Sequence, residues 1–123
     1  MPIVRVDIPA GYDDATKSQL RDRIKQDITE ALDSGQQGRH PETLKWIYVS
    51  ITEAFAELGD GLPTVTVDTR PRPYEMYQKL AQLMVATFED ILGTPDVYLL
   101  LREEPAPNHI ACGEPLPEWR PDG

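Results

Sequence analysis

The chain has 123 residues, a formal net charge of −9, and 40% hydrophobic and 27% charged residues. This length is enough for one compact domain with its own core, and the acidic balance argues against a nucleic-acid partner because phosphate binding needs basic patches. The single cysteine, Cys112, excludes a disulfide within the chain. No apolar run reaches membrane-spanning length and no signal-peptide pattern is present, so we expect a cytoplasmic protein without a membrane partner.

Pro2 follows the initiator methionine directly and heads the first predicted strand. Because proline has a small side chain, we expect Met1 to be removed, which leaves Pro2 as a free secondary amine. An apolar pocket and neighbouring cations both disfavour the protonated form of such an amine. The amine is then a candidate general base or acid at neutral pH. Met-Pro starts are common, so this role depends on the rest of the chain.

The first half of the chain predicts a strand, a helix and a second strand. Residues 3–8 alternate between two sides, the pattern of a half-buried strand. Asp13 or Asp14 is placed to cap a helix, and Gly35 is placed to end it. Residues 45–52 predict the second strand. The helix presents one apolar stripe at helical spacing, formed by Leu20, Ile24, Ile28, Ala31 and Leu32.

The second half repeats this order. Residues 64–69 predict a strand, and Arg70-Pro71-Arg72-Pro73 forms the turn before a helix whose first turn tolerates Pro73. Gly93 ends this helix, residues 97–101 mark the last strand, and the segment from Pro105 onward predicts an extended arm. The second helix has its own apolar stripe, formed by Met76, Leu80, Leu83, Met84, Phe88 and Ile91.

The two halves predict a duplicated β-α-β arrangement of the α+β class. Parallel strands within each unit, joined by a right-handed crossover, give a four-stranded sheet with two helices on one face. We divide this single domain into a first unit (1–56), a second unit (63–104) and a C-terminal arm (105–123). The other sheet face is too apolar for water, so we predict an oligomer. It carries Ile3, Trp46, Tyr48, Tyr98 and Leu100.

Four segments, in this order and in register with Pro2, resemble the tautomerase superfamily, and the 4-oxalocrotonate tautomerases in particular. They are PIVRVDI at 2–8, GYDD at 11–14, VSITE at 49–53, and EEPAPN at 103–108 followed by Gly113. The resemblance spans nearly the whole chain. It implies the tautomerase fold and a homotrimer whose sheets line a central barrel, which would cover the apolar face.

The resemblance implies a cofactor-free isomerase in which Pro2 moves a proton between a 2-hydroxydienoate and its 2-oxo tautomer. In that family arginines hold the substrate carboxylate, whose oxygens match the planar guanidinium. Arg72 matches the arginine at the start of the second-unit helix, and Arg70 lies two residues earlier; the first-unit arginine is replaced by Tyr12. The Arg-Pro-Arg turn also resembles that of malonate semialdehyde decarboxylase. A solvated turn is the alternative.

The same resemblance indicates five further candidate site residues. The family's strand arginines fall on Tyr48 and Tyr98, whose phenols either bind substrate or pack at an interface. His40 lies in the loop where the decarboxylase branch carries an aspartate, and a plain surface loop is the alternative. His109 and Glu114 lie near the arm position of the acid–base carboxylate of the dehalogenase and hydratase branches, without matching it in register.

Three functions stay open at this point. The first is the tautomerase, with a small carboxylate as substrate and neither a cofactor nor a metal. The second is a hydratase, dehalogenase or decarboxylase acting on a three-carbon unsaturated or oxo acid. The third is a non-catalytic trimeric binding protein, in which Pro2 is only the residue after Met1.

Overall fold

The computed structural model describes residues 2–32, 47–54 and 62–120. Its main elements are β1 (Ile3–Pro9), α1 (Asp14–Leu32), β2 (Tyr48–Ala54), β3 (Thr64–Thr69), α2 (Tyr74–Leu92) and β4 (Tyr98–Glu103). The arm adds one 3₁₀ turn (Ala106–Asn108) and two short strands, β5 (Ile110–Ala111) and β6 (Glu114–Pro115). The predicted fold class, two β-α-β units that share a four-stranded sheet, is confirmed.

The sheet has the strand order β2-β1-β3-β4. β1 pairs with β2, and β3 with β4, in parallel, whereas the central pair β1 and β3 is antiparallel. The start of β1 therefore lies beside the end of β3, with Ile3 opposite Asp68. The same edge holds Tyr48, opposite Ile3, and Glu103, opposite Thr69. Residues far apart in sequence thus meet at this edge, which we call the Pro2 edge.

The core lies between the sheet and the two helices. Strand residues point into it alternately, as the period of two requires, and the helices add one stripe each. α2 differs slightly from the prediction, because Tyr77 is buried while Met76 is only partly buried. The innermost side chains are those of Val4, Val6, Ile8, Leu20, Ile24, Ile28, Leu32, Val65, Val67, Leu80, Met84 and Phe88.

Capping residues define the start of α1 and both ends of α2. The backbone N–H of Thr16 donates to Asp13 Oδ1 at 2.7 Å, so Asp13 is the residue that caps α1. Gly93 ends α2 in the left-handed conformation, with φ of 78°, and its N–H donates to the Glu89 carbonyl at 3.1 Å. Pro73 is the N-cap of α2, one position before the predicted first turn. Gly35 lies outside the described residues.

One buried carboxylate sits between the helices. Asp27 is 5% exposed, and Thr87 donates its hydroxyl hydrogen to Asp27 Oδ2 at 2.5 Å. Arg23 Nη2 donates to the Thr87 hydroxyl at 3.2 Å. Burial raises the pKa of Asp27 to about 6, against the opposing effects of the Thr87 hydrogen bond and the Arg23 charge. The helix interface therefore contains a group that titrates at mildly acidic pH.

The sheet face away from the helices is apolar at four exposed positions, as predicted. Tyr48 and Tyr98 are 56% and 59% exposed, and Ile3 and Leu100 are exposed as well. Trp46, predicted on the same face, lies outside the described residues. Three charged side chains lie on the same face. Asp68 accepts hydrogen bonds from Arg5 at 3.4 Å and from Arg102 at 2.8 and 3.0 Å.

The arm is not simply extended, which corrects the prediction for this segment. Its two short strands pair antiparallel, and the N–H of Leu116 donates to the His109 carbonyl at 2.8 Å. The turn between the strands has positive φ at Cys112 (53°) and Gly113 (81°), as tight hairpin turns require. In the described part of the chain, no helix is long and apolar enough to cross a membrane.

Candidate active site

Pro2 is buried at the edge of the sheet that carries the arginine turn. Its carbonyl accepts a hydrogen bond from the N–H of Tyr48 at 3.3 Å, which fixes it against the start of β2. Continuing the β1–β3 register by one residue places Pro2 beside Thr69. Arg70 follows Thr69 directly, so the amine position and the Arg70–Arg72 turn lie at the same edge of one chain.

Arg72 is buried, with 7% of its surface exposed. Its Nε donates to the Leu32 carbonyl at 2.8 Å, and its Nη1 donates to the Arg70 carbonyl at 2.9 Å and to the Thr69 hydroxyl. Leu32 lies at the C-terminal end of α1, where helix carbonyls carry partial negative charge. Arg72 therefore ties α1 to the turn and holds positive charge beneath the Pro2 edge.

The backbone of the turn is held by a phenol and a carboxylate. The N–H of Arg72 donates to the Tyr77 hydroxyl at 3.1 Å and to Glu103 Oε2 at 3.2 Å. Tyr77 itself donates to Glu103 Oε2 at 2.6 Å. Burial, followed by this hydrogen bond, raises the pKa of Tyr77 to about 12, so the phenol stays a neutral donor. The helix α2 and the strand β4 thus both fix the turn.

The C-terminal arm closes over the same turn. Arg70 is half-buried, and its Nη1 donates to the Pro117 carbonyl at 2.5 Å. The Arg72 guanidinium carbon lies 5.2 Å from the centroid of the Trp119 ring, within cation–π range. The sequence offered one signal for this contact, an aromatic residue within a proline-rich tail, but nothing that placed it on the turn.

The two tyrosines predicted for the site lie at opposite edges of the sheet. Tyr48 is at the Pro2 edge, and its side chain lies on the apolar face because it alternates with the buried Val49. Tyr98 pairs with Thr64 at the far edge. Within one chain the structure brings Tyr48, and not Tyr98, next to Pro2.

Of the remaining predicted residues, two lie on the arm hairpin. His109 is half-buried, with Nε2 3.3 Å from the Glu104 carbonyl oxygen, and Glu114 is exposed on β6. His40 lies outside the described residues. Within 2–32, 47–54 and 62–120, no group of three or more histidine, cysteine, aspartate or glutamate residues is placed to hold a metal ion.

Comparison with known proteins finds matches among solved structures. No family model and no curated protein matches the chain. A fused 4-OT wild-type symmetric trimer matches with a TM-score of 0.73, at 19% identity over 93% of this chain and 94% of that chain. Malonate semialdehyde decarboxylase matches at 0.67, with 21% identity over 87% and 88%. A member of the cis-3-chloroacrylic acid dehalogenase family matches at 0.76, with 19% identity over 94% and 83%.

The chain has the fold of the tautomerase superfamily. The resemblance drawn from the four sequence segments is thereby confirmed as a structural likeness that covers most of the chain. At 19–21% identity, these matches show a shared fold.

Within this tautomerase fold, the two units carry different side chains at equivalent positions. Glu53 accepts from Lys17 at 2.8 Å, whereas Glu103, at the matching strand end, accepts from Tyr77 at 2.6 Å. The first-unit counterpart of the Arg70–Arg72 turn has no arginine. Among the described residues, Pro2 therefore shares an edge with arginines at the second-unit turn, and the matching first-unit turn offers no arginine.

Proposed function

We propose that the protein is a cofactor-free tautomerase that converts an enol carboxylate into its 2-oxo form, with Pro2 as general base and acid. The observation that carries the proposal is the position of Pro2, buried at the sheet edge where Arg70 and Arg72 lie. In a chain of net charge −9, the turn places two guanidinium groups at the Pro2 edge, which supports an anionic substrate there.

The proposed reaction is a balanced proton transfer. Arg70, the more accessible arginine, binds the carboxylate, while the buried Arg72 orients the turn and adds charge. The Pro2 amine takes the enol O–H proton, and the released electron pair forms the C=O bond. The electrons of the C=C bond then take a proton from the ammonium at C3. Amine and substrate end with the same atoms they began with, so no redox partner is consumed.

We also propose a homotrimer as the working assembly. Tyr48, Tyr98, Ile3 and Leu100 leave an apolar face uncovered in the single chain, and copies of the chain would bury it. One of the matching solved structures is itself a symmetric trimer. In this trimer, Tyr48 belongs both to the buried apolar face and to the Pro2 edge. A cytosolic location stays a prediction from the sequence.

The test is ketonisation by the wild-type protein. Phenylenolpyruvate and 2-hydroxymuconate are followed by their ultraviolet absorbance at pH 7, against the rate in buffer alone. We expect saturable acceleration of at least one of them, together with an intact mass that lacks Met1. A retained Met1 rules out the amine as catalyst, and no acceleration across the panel contradicts the tautomerase.

A second candidate is a decarboxylase or hydratase acting on a small oxo or unsaturated acid. It is favoured by the Arg70-Pro71-Arg72 turn and by the structural match to malonate semialdehyde decarboxylase, whose structures were related to decarboxylase and hydratase activities. Release of CO₂ from a three-carbon 3-oxo acid, or halide release from a 3-haloacrylate, would support it. A trimer that binds these acids and turns over none of them would be the binding protein.

A further inference from the structure

A separate cavity lies beside the arginine turn, under the C-terminal arm. Its volume is about 400 Å³, within the size range of small-molecule sites. Most of its wall is apolar, and it opens to solvent, since Pro71, Pro105, Pro107 and Glu118 are all exposed. The lining residues are Pro71, Pro105, Ala106, Pro107, Glu118 and Trp119. Three of these six residues are prolines, whose fixed φ restricts the backbone around the cavity.

Trp119 connects this cavity to the candidate site. Its ring lines the cavity and also carries the Arg72 guanidinium at 5.2 Å. Its Nε1–H is buried and has no hydrogen-bond acceptor among the described residues. Pro71, between the two arginines, forms another part of the wall.

We propose that this cavity, which we call the arm pocket, binds the apolar tail of the substrate and so sets the substrate class. The proposal rests on the proposed function in taking the arginine turn as the carboxylate site. The enol carbons are one and two bonds from the carboxylate, so they stay beside the turn while the tail extends past Pro71 toward Trp119. The substrate is then an enol carboxylate with a tail of several carbons or a ring, and not a three-carbon acid.

Binding should therefore grow stronger with tail length. Each methylene group moved from water into an apolar pocket tightens binding about threefold to fourfold. Across straight-chain 2-oxo acids from pyruvate to 2-oxohexanoate, we expect the Kd to fall on the order of thirtyfold. Phenylpyruvate should bind at least as tightly as 2-oxohexanoate. These acids are the keto products of the proposed reaction, so they bind without being consumed.

The experiment measures Kd for this series by isothermal titration calorimetry on the full chain, in the wild type and in Pro2→Ala. Ala106→Leu fills the arm pocket and should flatten the dependence on tail length while leaving the Kd of pyruvate within about twofold. Trp119→Leu removes the aromatic wall and should weaken the long acids most. Ile110→Thr, at an exposed position on the same arm, is the matched control and should keep the full dependence.

Two results overturn the arm pocket. One is a wild-type Kd that does not change with tail length; the other is a dependence that survives in both pocket variants. If Ala106→Leu fails to fold by circular dichroism, the wild-type series and Trp119→Leu decide alone. Failure of the proposed function gives a different result. Binding that depends on tail length, without turnover of the enol substrates, contradicts the tautomerase and supports the arm pocket. Turnover of the enol substrates without a dependence on tail length supports the tautomerase and contradicts the arm pocket.

Discussion

Replacing Asp27 with asparagine should make the protein more stable at neutral pH, although it removes a charged group. Asp27 is buried between the two helices, and Thr87 supplies its hydrogen bond. Burial raises the pKa of Asp27 from 3.8 to about 6, so the folded state binds this proton more tightly than the unfolded state does. Asparagine keeps an oxygen that accepts from Thr87 and carries no charge to bury.

The sign follows from the raised pKa. The contribution of Asp27 is most favourable below about pH 4, where it is protonated in both states, and is lost as the pH rises through about 6. For a group fully shielded from solvent, a difference of about two pKa units corresponds to about 3 kcal/mol of unfolding free energy. Residual solvent access to this residue, which is 5% exposed, reduces this value, so we expect the wild type to lose about 1–2 kcal/mol of unfolding free energy as the pH rises through 6.

The assay is urea unfolding at pH 3 and pH 7.5, at one protein concentration because assembly would couple to stability. Asp27→Asn should exceed the wild type by about 1–2 kcal/mol at pH 7.5 and match it within error at pH 3. Asp22→Asn, at an exposed position on the same helix, corrects for the change in net charge. Equal pH dependence of Asp27→Asn and the wild type would show that burial of the Asp27 charge does not destabilise the fold.

Three other predictions test the turn, the helix end and the apolar face. Tyr77→Phe should cost about 1 kcal/mol of unfolding free energy and raise KM for carboxylate substrates more than it lowers kcat. An unchanged KM would show that Tyr77 does not position the arginine turn for substrate binding. Gly93→Ala should cost about 1 kcal/mol because of the left-handed φ of 78°, and a thermal melt that matches the wild type would contradict this. Leu100→Lys should lower the light-scattering mass from three times 13.9 kDa toward 13.9 kDa, whereas an unchanged trimer would place the interface elsewhere.

The elements and the apolar face could be predicted because they depend on local periodicity. The alternation at 3–8 and the stripe through Ile24 and Ile28 each reflect one repeated spacing, and the structure keeps both. The duplicated order of the two units then restricted the sheet to a few arrangements, and the observed parallel pairs follow from it.

The environment of the site could not be predicted, because it depends on contacts across long separations in sequence. Arg72 meets Leu32 and Trp119 only after the chain has folded, and no spacing rule links these residues. A proline-rich tail likewise predicts extension, while the turn at Cys112 and Gly113 folds it back. The arginines were identified by position in the sequence, and their different degrees of burial appear only in three dimensions.

The proposed reaction depends on the Pro2 amine, which takes the enol proton and returns it to carbon. Pro2→Ala keeps a small residue after Met1, so we expect the methionine to be removed in both proteins, which leaves a primary amine in the variant where the wild type has a secondary one. The most direct measurement is kcat/KM for ketonisation of the best enol carboxylate at pH 7, in the wild type and in Pro2→Ala of verified intact mass. We expect kcat/KM to fall about a hundredfold to ten-thousandfold, the usual range for general acid–base catalysis. A kcat/KM within twofold of the wild type would contradict this role of Pro2.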